Sequence, residues 1–416
     1  MKIKLLFASV FLAALLSPAN ALAYGVLSHE EIVDICWESD IRPALVKRFP
    51  TATDAELKQA HAYAYGGSVI QDVGYYPFGS HEFTNYLHYV RSGDFVASML
   101  RDANNLNDYA FALGALSHYA ADSWGHPAVN AGVGAEYPNL RAKYGPIVTY
   151  EEDHEAHLET EFSFDVVQVA KHRYLSQQYH DFIGFKVPQD LIARSFLDTY
   201  GVKSSEFLKT GGLAIGTYRF GVSRVIPEMT QVAIVSRQID LPAEKNDPAR
   251  HQFLFHLSRA DYEREFGNDY RGPGTFARIL GFLLHHLIPR FGPFKALGFK
   301  DPTSATEDEY FKSLDNVVSE YKNLVHQVER GDYKIPNRNL DVGDLTRAGK
   351  YDLADQGYDD LVRRLAKDKF AHLTPDLKAN ILAYFASGSP RDKLGRHKWN
   401  ETKKALAELK QQQSAP

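Results

Sequence analysis

His118, Asp122 and His126 fall four residues apart in the run His118-Tyr119-Ala120-Ala121-Asp122-Ser123-Trp124-Gly125-His126. On a helix, steps of four advance only slightly around the axis, so the three side chains leave one face. The preceding stretch, Phe111-Ala112-Leu113-Gly114-Ala115-Leu116, is apolar and gives that helix a buried side. A titratable row on a buried face costs free energy unless something pairs with it. Two partners satisfy the condition. One is a divalent metal such as zinc, which takes imidazole nitrogen and carboxylate oxygen. The other is a hydrogen-bonded core network.

The rest of the chain bears on that choice. Its 416 residues allow two packed units or one large one with additions, and 44% hydrophobic content argues against disorder. Residues 1–23 read as a secretory signal: Lys2 and Lys4, an apolar stretch from Leu5 to Leu16, then Ala21-Leu22-Ala23. The reading predicts an exported protein, periplasmic or secreted. No cysteine near the cleavage site suggests a lipid anchor, and no later segment reads as transmembrane. Cleavage removes two lysines and no acids, so the net charge falls from −5 to −7. An acidic chain suits extended nucleic acid poorly as a partner. The sole cysteine, Cys36, excludes an internal disulfide. An exported chain of this kind relies on its core or on metals, and 17 histidines fit the second route.

Apolar spacing predicts an all-α protein, with helices over 30–49, 54–70, 94–124, 150–173, 188–201 and 204–235. Further helices are expected near 251–266, 274–289, 306–330, 357–370, 375–387 and 399–411. Thr306 to Glu309 reads as a capping-box start, and Thr374-Pro375 as an N-cap followed by proline at the first helical position. The polar, proline-bearing stretch Asp240 to Arg250 divides a unit over 24–239 from a helical C-terminal region over 240–416, whose role the sequence does not reveal.

Three more fragments carry ligand types. His157 and Glu161 are four apart on an expected helix that starts near Thr149, with His154 as a competing imidazole; a solvated acidic face is the alternative. Asp72 precedes a Gly/Pro-containing loop, with His81 and His88 following; such an Asp is often a turn residue. Cleavage after Ala23 makes Tyr24 the first residue, so its amine and carbonyl can chelate a metal, with His29 close enough in sequence to add a third ligand.

In this order, the four fragments resemble the zinc-dependent phospholipase C family, which shares its helical fold with single-strand-specific zinc nucleases. Tyr24-Gly25-x-x-x-His29 is similar to the Trp-Gly-x-x-x-His start of the nuclease branch; His118-x-x-x-Asp122 and His157-x-x-x-Glu161 match the central and last pairs. The resemblance covers about 24–165, extending towards 235. It implies three zinc ions. One would take Asp72, His88, His118 and one oxygen of Asp122. A second would take the Tyr24 amine and carbonyl, His29 and the other Asp122 oxygen. The third would take His126, His157 and Glu161. His88 is preferred to His81 because its distance from Asp72 is nearer the family's spacing. Two departures stand out: Tyr24 replaces the usual Trp, and His126 follows Asp122 after three residues where the best-known members have five.

The implied chemistry is phosphodiester hydrolysis. Clustered zinc lowers the pKa of bound water from roughly 16 towards ~7 and neutralises charge growing at phosphorus. Asp122 would bridge, and Asp72 would serve as ligand and candidate general base. Tyr75, Tyr76, Phe83 and Tyr86 lie beside ligand positions, as does Trp124; there they would line the core, cage a quaternary ammonium or stack on a base. Phe276 to Leu287 is apolar and reads as a core helix or a segment that dips into lipid. The expected substrate is a phospholipid or membrane surface, and no protein partner is indicated. Two alternatives remain: a single-strand nuclease or nucleotidase on the same scaffold, and a non-enzymatic, metal-stabilised helical binding protein.

Overall fold

A computed structural model describes residues 25–76, 78–170, 185–208, 211–222, 300–388 and 396–412. Tyr24 and the expected leader before it, residues 1–23, lie outside the described residues. So do the 240–250 division, the helices expected near 251–266 and 274–289, and the apolar run from Phe276.

The all-α expectation holds. The described residues contain fourteen α-helices, one isolated bridge, Arg338 to Leu345, and no strand. They are α1 (Val26–Cys36), α2 (Arg42–Arg48), α3 (Asp54–Ser68), α4 (His81–Tyr89), α5 (Ser92–Asp102), α6 (Leu106–Glu136) and α7 (Pro138–Tyr144). Then come α8 (His154–Ala170), α9 (Gln189–Tyr200), α10 (Gly211–Phe220), α11 (Ser304–Arg330), α12 (Asp352–Lys367), α13 (Pro375–Ala386) and α14 (Arg396–Gln411). None of the described helices is long and apolar enough to cross a membrane.

Several boundaries differ from the periodicity reading. The helix expected over 94–124 is two. Its break falls at Ala103–Asn105, where the Asn105 side chain accepts from Asp108 N (2.9 Å) and starts α6 afresh. α6 then runs through Gly125 and Pro127 to Glu136. The stretch 30–49 carries a π-helical turn, Trp37–Ile41, between α1 and α2. The helix expected from Thr149 starts at His154, where Asp153 Oδ1 accepts from Ala156 N (2.9 Å). α11 starts three residues earlier than the expected capping box: Thr303 accepts from Thr306 N (3.2 Å), so Thr306 lies inside the helix. Thr374 does cap α13, with Pro375 in its first turn. Of the stretch 204–235, the described residues form a 3-10 turn, Ser204–Glu206, and α10, and residues 223–235 lie outside them.

α6 is apolar on most sides, as a helix at the centre of a core must be. Its closest neighbour is α3. A Cβ on Gly114 would stand 2.0 Å from the Ala64 carbonyl, and one on Gly67 would stand 2.0 Å from the Phe111 carbonyl. Only glycine lets the two backbones meet at this distance. On another side α11 packs with Tyr310, Leu314, Val317 and Tyr321, and Tyr321 Oη donates to Leu113 O (3.0 Å). One continuous core therefore joins residues of 26–222 to residues of 310–409.

Candidate metal centre

Asp122 sits fully buried at the middle of α6, and its two oxygens face different groups. Oδ2 lies 3.0 Å from His118 Nε2 and 3.3 Å from His88 Nε2. Oδ1 lies 3.5 Å from His29 Nε2 and 3.4 Å from His126 Nε2. Asp72 Oδ1 stands 3.3 Å from His88 Nε2. Beyond His126, Glu161 Oε1 is 3.4 Å from His126 Nε2 and 2.7 Å from His157 Nε2. Three donor groups result, all buried: Asp72, His88 and His118; His29, His118 and Asp122; His126, His157 and Glu161.

Each side chain is placed by local structure. Ser68 ends α3, and its carbonyl takes a bond from His118 Nδ1 (2.9 Å). A carbonyl only accepts, so Nδ1 carries the hydrogen and Nε2 turns to Asp122. The Gly67 and Gly114 contact permits this reach. Asp72 stands on the 3-10 turn Ile70–Tyr75. Thr84 of α4 clamps that turn by donating to Gln71 O (2.8 Å) and accepting from Gly74 N (2.8 Å). One turn on, His88 Nδ1 donates to Thr84 O (2.9 Å), which aims Nε2 between the Asp72 and Asp122 carboxylates. His157 and Glu161 leave one face of α8, as their spacing requires.

The centre is charged, buried and unsatisfied. Both oxygens of Asp72, Asp122 and Glu161 lack a hydrogen-bond partner among the described residues, as do His88 Nε2 and His118 Nε2. Native interiors rarely leave so many buried acceptors unpaired. Imidazole nitrogens stand 2.7 to 3.5 Å from these oxygens, a clustering that fits donors converging on cations. Burial would depress His88, but Asp122 and Asp72 outweigh it and raise the imidazole to about 10. Burial, helped by His118, holds His29 well below its ordinary value, and burial lowers His157. Asp122 goes the other way: burial would raise it, yet His118 and His126 bring it well below the usual carboxylate range. Glu161 is pushed up well above that range by burial.

His81 and His154 are surface residues, and neither joins a donor group; the His154 ring stacks on Tyr150 (4.1 Å). Tyr75 faces His88 at 6.3 Å between ring centroids. Tyr76 packs edge-on against Tyr218. Phe83 and Tyr86 sit in an aromatic core with Phe196 and Phe207, and the Tyr86 hydroxyl donates to Asp360 (3.0 Å). Trp124 lies under Arg338 (5.1 Å from the ring centroid).

Two residues escaped the sequence reading. Asp165 continues the His157, Glu161 row by another four positions. It accepts from Leu27 N (3.1 Å), Ser28 N (3.1 Å) and Ser28 Oγ (2.8 Å), tying the start of α1 to α8. Burial raises Asp165 to about 7. The continued spacing of four was its available signal. Asp341 stands 3.8 Å from both His126 Nδ1 and His157 Nε2. Its setting, Asp341-Val342-Gly343, repeats the triplet Asp72-Val73-Gly74, a signal too common to single it out.

Residues 28–202 match the family model described as zinc dependent phospholipase C. No curated protein and no solved structure matches the chain. The matched span includes every donor of the three groups and excludes Tyr24 and Asp341.

Proposed function

Residues 28–202 belong to the zinc-dependent phospholipase C family, and from that premise we propose that the chain is an exported zinc metallohydrolase that cleaves phospholipids at the phosphodiester bond. One observation carries the reading: the two oxygens of a single buried carboxylate, Asp122, face separate imidazole sets. A carboxylate so placed suits two neighbouring cations.

Asp72, His88, His118 and Asp122 would hold one zinc. His29 and Asp122 would hold a second, with the Tyr24 amine and carbonyl once the leader is removed. His126, His157 and Glu161 would hold a third. Bound zinc supplies Lewis-acid stabilisation of charge on the phosphoryl group and acidifies water at the site. The chain's own residues supply the rest. Carbonyls of Ser68 and Thr84 keep His118 and His88 in the tautomer that presents Nε2. Asp72, whose oxygens accept no hydrogen bond among the described residues, would take the proton of the attacking water. Tyr75, beside His88, is the aromatic best placed to meet a headgroup.

The mature chain, with Tyr24 first, should hold about three zinc per molecule and release phosphorylated headgroup from phosphatidylcholine vesicles. A zinc-loaded preparation that leaves phospholipid intact sinks the proposal, and cleavage of single-stranded nucleic acid instead would move the activity to the nuclease class.

A further inference from the structure

The His126, His157 and Glu161 group lies beside a part of the chain that the family match does not reach. Residues 331–351 cross α4, α5 and α6 as a strap of coil and turns. Tyr119 Oη donates to Pro336 O (2.7 Å), Arg338 N donates to Ser92 Oγ (3.1 Å), and Leu340 N donates to His88 O (3.1 Å). Where the strap passes Pro127, the proline lacks the N–H that would bond Ser123 O. Gly343, at φ +76°, fills that place; a Cβ there would come within 2.2 Å of the Ser123 carbonyl. The strap is thus pinned on both sides of Asp341.

Asp341 is 1% exposed. Its backbone is satisfied: Asn130 Nδ2 donates to its carbonyl (2.7 Å), and its N–H donates to Asn339 Oδ1 (3.0 Å). Its Oδ2 accepts from Tyr150 N (3.2 Å) and from the Tyr351 hydroxyl. Its Oδ1 has no hydrogen-bond partner among the described residues and points at the imidazoles, 3.8 Å from His126 Nδ1 and from His157 Nε2. His126 Nε2 faces Asp122 Oδ1 and Glu161 Oε1, so Nε2 is its metal-facing nitrogen and Nδ1 its N–H.

We propose that Asp341 is the positioning carboxylate of this third group, holding the His126 ring by its Nδ1 side, and that the C-terminal strap exists to deliver it. A ligating histidine characteristically gives its second nitrogen to a carboxylate, which fixes tautomer and ring orientation and strengthens the donor. Closing the 3.8 Å gap to hydrogen-bond length takes a shift of under about 1 Å once an ion draws the ring in. The inference rests on the zinc reading above, but its test does not use catalysis.

Native mass spectrometry under graded chelator counts the ions held by the full mature chain and its variants. Asp341→Asn should release one ion at a roughly 10–100-fold lower chelator level and hold the other two as the parent does. Its metal-free melting temperature should stay near the parent's. Tyr351→Phe, which keeps the carboxylate but loosens Oδ2, should weaken the same ion by a smaller factor; if Asp341→Asn fails to fold, this variant decides. The inference is overturned if the variants hold all ions like the parent. It is also overturned if all ions loosen together with the metal-free fold, or if the parent holds fewer than three. A parent with three ions and no phospholipid hydrolysis defeats only the proposed function.

Discussion

Two buried clusters in this protein are built from the same residue types. In one, Asp34 of α1 meets His61 and Tyr65 of α3: Oδ1 lies 3.0 Å from His61 Nε2 and takes the Tyr65 hydroxyl, while Trp37 stacks on the His61 ring at 3.8 Å. In the other, Asp122 lies among four imidazoles contributed by α1, α4 and α6. The difference is satisfaction. Asp34 spends its oxygen on protein donors from a neighbouring helix. The oxygens of Asp122, Asp72 and Glu161 have none among the described residues. A buried His/Asp pair is therefore not a metal site by composition. It becomes a candidate for one when its acceptors make no hydrogen bond among the described residues and several of them turn toward the same point.

The largest test of that contrast is Asp122→Asn. It should lower the bound zinc by two ions, leave the one at His126, His157 and Glu161, and cut hydrolysis by at least ~10²-fold. Metal analysis beside a headgroup-release assay reads both; loss of one ion only would contradict a shared carboxylate. Next comes Asp34→Ala, which strips His61 and Tyr65 of their acceptor. Denaturant unfolding should show a loss of about 2–3 kcal/mol with the zinc count unchanged. Zinc loss there at preserved stability would erase the distinction between the clusters.

The smallest effect is expected at Glu136, which closes α6 and belongs to neither cluster. Burial pushes its carboxyl up to about 7 from an ordinary 4.5. The folded chain thus keeps a proton that the unfolded chain sheds, and stability drains away as pH rises between these two values. Glu136→Gln should remove that drain. Its melting temperature relative to the parent should climb from about pH 5 to about pH 8, equivalent to about 1 kcal/mol. A flat difference would show that no proton is held there.

The donors on one helix were the legible ones. His118, Asp122 and His126 on α6, and His157 with Glu161 on α8, follow from spacings of four because the helix repeat forces a shared face. Choosing His88 over His81 rested on family spacing, and the structure places His88 inside a donor group and His81 at the surface. Helix ends were less legible, since a single side chain such as Asn105 or Thr303 sets them locally against a smooth apolar periodicity. Asp341 was not legible. It lies 180 residues beyond Glu161, and its approach depends on Pro127, Gly343 and Tyr351 meeting across the fold.

What the sequence determined alone was the class of fold and the two rows His118, Asp122, His126 and His157, Glu161, because both follow from periodicity and residue chemistry within single helices. Only the tertiary structure shows what brings the donors into the groups that the family resemblance implied. Glycine contacts between α3 and α6 bring Ser68 to His118, and α4 swings His88 to one oxygen of Asp122 while α1 brings His29 to the other. That division depends on packing distances between helices, and no local spacing encodes them.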